Sequence, residues 1–77
     1  MKNKKLFEKL ADIEHQRWSD WQAYLHSKCK EDKKGNLIIP AGYVKSLERQ
    51  IGIPYGQLSE GEKNEDRKQV MRYWDLI

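Results

Sequence analysis

The sequence predicts a mainly α fold, a compact bundle of three main helices with one short extended segment between the first and the second, in a single domain over residues 1–77. Three observations predict it. Apolar residues recur at helical spacing over two stretches, Phe7 to Leu25 and Tyr43 to Ile51. Ser59 and Glu62 have the S-x-x-E spacing of a capping box, which opens a third helix at Glu60. The β-like run Leu37-Ile38-Ile39 is only three residues long and has no evident partner strand.

The first helix is expected from about Lys4 to Ser27. Phe7, Leu10, Ala11, Trp18, Trp21 and Leu25 recur at spacings of three, four and seven, so they share a helical face and form the expected main core stripe. Glu14 falls inside that stripe and Arg17 borders it. Lys28 to Asn36 is charged and ends in Gly35-Asn36, a turn signal. Leu37 to Ile39 then reads as an extended segment packing into the core. Pro40 suits the first turn of the second helix, whose stripe is Tyr43, Val44, Leu47 and Ile51, and Gly52 is placed to end it in the left-handed conformation. Pro54 holds the residue before it extended, and Tyr55 and Leu58 are expected to plug the gap between helices. The last helix is expected from Glu60 to Trp74, with Val70, Met71 and Trp74 inward and Glu60, Glu62 and Glu65 near the positive end of its dipole.

Counting back by four from Val70 and Met71 lands on Asp66 and Arg67, which therefore border the apolar face of their helix as Glu14 and Arg17 do on theirs. Charges on apolar stripes are tolerated when paired and hydrogen-bonded. The expectation is that Glu14 or Arg17 meets Asp66 or Arg67 across the first and last helices. The alternative is that these long side chains reach water at the stripe edge.

Composition limits the function classes. A chain of 77 residues buries only about 60% of its unfolded surface, which favours a shallow surface site over an internal substrate cavity. Fifteen Lys and Arg against twelve Asp and Glu give a net charge of +3 with the signs interspersed, so attraction to polyanions is permitted without being demanded. The densest basic groups are Lys2, Lys4, Lys5 and Lys9, then Lys28, Lys30, Lys33 and Lys34. No run approaches the roughly 20 apolar residues of a membrane span. The basic start is followed by charged residues where a signal peptide has its apolar region, so a cytoplasmic protein is expected.

Catalytic chemistry finds little support. Cys29, the single cysteine, and His26 are three residues apart, but a nucleophile also needs an oriented base and an oxyanion site. One Cys with His15 and His26 does not close a tetrahedral metal shell. The five glycines lie scattered at turns and helix boundaries, so there is no phosphate-binding loop, and no cofactor is expected. Nucleic-acid binding is the second reading, because the polar face of the middle helix offers Lys45, Ser46, Arg49 and Gln50, with Glu48 beside them opposing phosphate.

Residues Pro54-Tyr55-x-x-Leu58-Ser59-x-x-Glu62-Lys63-x-x-Asp66-Arg67, followed by Val70, resemble the closing half of the ryanodine-receptor-type repeat domain, whose stand-alone versions occur in bacteria and phages. Upstream, Glu14-His15-x-Arg17-Trp18 is similar to the start of that family's first helix. The middle departs from the pattern: the family's usual Gly-Trp-x-Tyr-Gly hairpin has no counterpart, so no ligand site built from that hairpin is carried over. The resemblance implies a noncatalytic binding or regulatory module in a phage or bacterial setting, with a nucleotide-type ligand or a host protein as partner. His15, Trp18, Tyr55 and Arg67 are its candidate contact residues, the aromatic planes stacking on a base and the guanidinium meeting a phosphate. Each aromatic also has a plain packing role as its alternative.

Overall fold

The computed structural model describes residues 3–77; Lys2, first of the N-terminal basic group, lies outside the described residues. Helix α1 spans Lys4–Lys28, β1 Lys30–Glu31, β2 Leu37–Ile38, α2 Ala41–Ile51 and α3 Glu60–Met71, with 3-10 turns at Tyr55–Gln57 and Trp74–Leu76. The fold is mainly α, with a short extended segment between the first two helices. Among the described residues, no helix is long and apolar enough to cross a membrane.

Helix α1 starts where the Asn3 side chain accepts from the Leu6 N–H at 3.0 Å, a cap that satisfies one of the free donors of the first turn. Its last turn holds His26 and Lys28, and the Lys28 ammonium sits at the negative end of the dipole. At Cys29 the backbone becomes extended and the chain turns back.

The extended segment is half of a hairpin, which corrects the expectation of a lone strand packed into a core. β1 and β2 pair antiparallel, Lys30 with Ile38 and Glu31 with Leu37. Asp32 organises the loop between them: its carboxylate accepts from the N–H groups of Lys34 and Asn36 and from the Asn36 side chain, at 2.8 to 2.9 Å. These bonds hold its pKa below the ordinary carboxylate range, the Asn36 side chain contributing most. Gly35 has φ 86, the left-handed conformation that only glycine adopts at low cost. Leu37 and Ile38 consequently face water, 44% and 53% exposed, rather than entering a core.

Gly52 does not take the left-handed conformation. Its φ is −82, and its N–H still bonds helically to the Glu48 carbonyl; the exit from α2 is made by Ile53 and the extended Pro54 instead. Ser59 caps α3, its hydroxyl accepting from the Glu62 N–H while the Glu62 carboxylate accepts from the Ser59 N–H. Helix α3 ends three residues before the expected Trp74. The N–H groups of Arg72 and Tyr73 bond three residues back, tightening the last turn, and Tyr73 at φ −129 leaves the helix.

What these elements do not do is close over one another. No described residue is buried. The radius of gyration is 16.0 Å, against about 11.5 Å for a compact chain of this length. Trp18, Trp21 and Trp74, expected to share an internal seam, are 56%, 40% and 58% exposed. The better covered side of α1 is Leu6, Leu10, Ile13 and Arg17, about 100° around the helix from Phe7, Ala11 and Trp18. The reason is visible in what reaches α1. Arg72, beyond α3, donates to the Asp20 carboxylate at 2.8 Å, and Asp20 lies on the Ile13 and Arg17 side. That tie brings one flank of α1 toward the C-terminal segment, and of the expected stripe only Leu10 and Leu25 are partly covered.

Candidate functional site

The structure sorts the expected site residues into two separate pairs. On α1, the His15 and Trp18 rings stack at 6.1 Å between centroids and 21° between planes. On the C-terminal half, Tyr55 and Arg67 are neighbours, and the Glu60 carboxylate first, then the Tyr55 hydroxyl, raise the pKa of the Arg67 guanidinium above the ordinary range. Lys63 lies over the Tyr55 ring at 5.7 Å, a cation–π contact. Among the described residues no hydrogen bond, ion pair or ring contact joins the two pairs.

Arg67 is already engaged. It donates to Glu60 at 3.1 Å and to Asn64 at 2.7 Å, both on its own helix. The shallow depression beside it, lined by Gly61, Asn64, Arg67, Lys68 and Met71 among others, belongs to one face of α3 rather than to a cleft between elements. Tyr55, expected as a plug, is 48% exposed, and Leu58 is the better covered of the two.

The expected cross-helix charge pair is not formed. Glu14 and Arg17 bond to each other along α1 at 2.7 Å, with both side chains about half exposed. Arg67 turns along α3, and Asp66 makes no side-chain hydrogen bond or ion pair among the described residues. Because neither stripe is covered, no desolvation cost drives these charges together, and Glu14, Arg17 and Arg67 take partners three to seven residues away on their own helices. The ties between elements come from pairings that the sequence reading did not make. Besides Asp20 with Arg72, Arg49 of α2 donates to Glu62, so the carboxylate that completes the α3 cap also fastens α2. Tyr43 of α2 lies beside Tyr24 of α1, and desolvation there, followed by Tyr24, pushes the Tyr43 hydroxyl pKa up. Nothing in local spacing marks Asp20 and Arg72, 52 positions apart, as partners.

Around these ties α1 keeps an open face. Phe7, Ala11, Glu14, Trp18, Trp21 and Leu25 follow at alternating steps of four and three. Phe7 is 54% exposed, and of the six only Leu25 is partly covered. Spacing of this kind is the a/d seam along which one helix packs against another. No protein family matches the chain, and no curated protein or solved structure matches it.

Proposed function

We propose that this chain is a noncatalytic binding module that acts by presenting the open apolar face of α1 to a protein surface. One observation carries the reading: large aromatic side chains on one helix face stay half exposed while no described residue is buried. Aromatic anchors ringed by polar residues are what protein interfaces use. Small-ligand and nucleic-acid binding draw less support. Arg67 is committed to Glu60 and Asn64, and Arg49, on the polar face of α2, is paired with Glu62. The resemblance of residues 54–70 to a ryanodine-receptor-type repeat fits an interaction module as well, without any hairpin-built ligand site.

Hydroxyl-radical footprinting of the dilute chain tests this. Phe7, Trp18 and Trp21 should react readily, and strong protection of all three in the isolated monomer would overturn the reading, because the face would then be closed internally. A raised melting midpoint with adenine or cyclic nucleotides would move the function to small-molecule sensing.

A further inference from the structure

We infer that the partner of this face is a second copy of the chain, and that two α1 helices pair antiparallel with Phe7 of each against Trp18 of the other. The inference rests on the binding-face reading above and names its occupant. The first support is area. A folded monomer of 9.2 kDa exposes about 4,900 Å², whereas this chain exposes 6666 Å², an excess of about 1,700 Å² over that expectation. A permanent homodimer buries about 1,000 to 2,500 Å² per chain. The excess of the whole chain falls inside that range, and the half-exposed Phe7, Trp18 and Trp21 of α1 contribute to it.

The second support is register. The seam positions Phe7, Ala11, Glu14, Trp18 and Trp21 are self-complementary only in one orientation. Parallel pairing sets Glu14 against Glu14, a like-charge layer inside the seam. Antiparallel pairing that sets Phe7 against Trp18 also sets Ala11 against Glu14 and Lys4 against Trp21, so the layers pair large with large and leave the carboxylate facing a methyl group. The same Glu14 is already neutralised by Arg17 of its own helix at 2.7 Å, which lets it sit at the seam edge and select orientation, as single polar seam residues do. A contact of this kind is isologous and closes at two copies.

The native cysteine provides the test. With Cys29 of the full chain carrying a nitroxide, pulsed electron-spin distance measurement should give about 50 Å between the two labels in the antiparallel register, from the rise of 1.5 Å per residue, and under about 25 Å in a parallel one. Light scattering should show twice the 9.2 kDa chain mass at micromolar concentration. Trp18→Glu should weaken self-association at least about thirtyfold, and Glu14→Leu, which leaves the aromatic layers intact, should tighten it about tenfold. A dimer with the short distance overturns the proposed register. A monomer whose radius of gyration stays near 16 Å overturns the second-copy inference while the binding face stands. A monomer near about 11.5 Å removes both, because the chain would have closed on itself.

Discussion

Helices α1 and α3 are both well formed, yet they depend on different things. α3 is satisfied by its own residues: Ser59 and Glu62 cap it, Glu60 holds Lys63 and Arg67, Lys68 bonds Glu65, and only Val70 and Met71 near its end are apolar. α1 has a cap and one internal ion pair, but it carries two apolar flanks, and the ties described here reach only its C-terminal half, at Asp20 and Tyr24. Local hydrogen bonds define where a helix begins and ends. They cover no apolar surface, and an amphipathic helix gains most of its stability from the surface it packs against.

The same substitution on each helix sharpens that contrast most. Trp18→Gln should abolish the concentration dependence of the melting midpoint and lower the midpoint itself at micromolar protein. Met71→Gln, at a position 65% exposed on α3, should change stability by less than about 0.5 kcal/mol. Equal effects at the two positions would erase the distinction between the helices. Circular dichroism melts over a hundredfold range of protein concentration make the measurement.

Two smaller changes probe local order away from α1. Gly35→Ala meets no atom within 4 Å, so its cost is conformational, about 1–2 kcal/mol for an L side chain in the left-handed region. Loss of the cross-strand contact between Lys30 and Ile38 by NMR reads it out, and α3 should be unaffected. Ser59→Ala removes one half of the cap and should cost about 1 kcal/mol. Faster amide exchange at Glu62 and Lys63, with α1 exchange unchanged, is the expected signature.

The smallest effect is set by pH. Glu62 is held below the ordinary carboxylate range, first by the Ser59 N–H and also by Arg49. A carboxyl depressed on folding stabilises the native state above its unfolded pKa, and that contribution disappears as pH falls through the lower folded value. Acid below about pH 4 should therefore fray the start of α3 and loosen α2 together. Glu62→Gln keeps an acceptor in the capping box and should reduce this pH dependence at α3, leaving the part from Glu60, whose carboxylate Arg67 also holds below the ordinary range; amide exchange between pH 6 and pH 3 would follow it.

The sequence was most legible where structure is local. The start of α3, the positive-φ turn at Gly35 and the order of helices all follow from residues within four positions of one another. The hairpin was half legible: Gly35-Asn36 announced the turn, but Lys30 and Glu31 carry no strand signal, and Asp32 becomes an organiser only when Asn36 folds back on it. The candidate site was legible as residue types rather than as a site. His15 and Trp18 are three apart on one helix and meet for that reason, whereas Tyr55 and Arg67 meet because the 3-10 turn leads directly into α3.

By itself, then, the amino-acid order determined which segments are helical, where they are capped and which residues could line a seam, because a helix is built from bonds that span four residues. Which flank of α1 is covered was decided only in three dimensions, by Arg72 reaching Asp20 and Tyr43 of α2 lying beside Tyr24. Periodicity locates an apolar face on its helix and cannot say which other surface arrives to cover it.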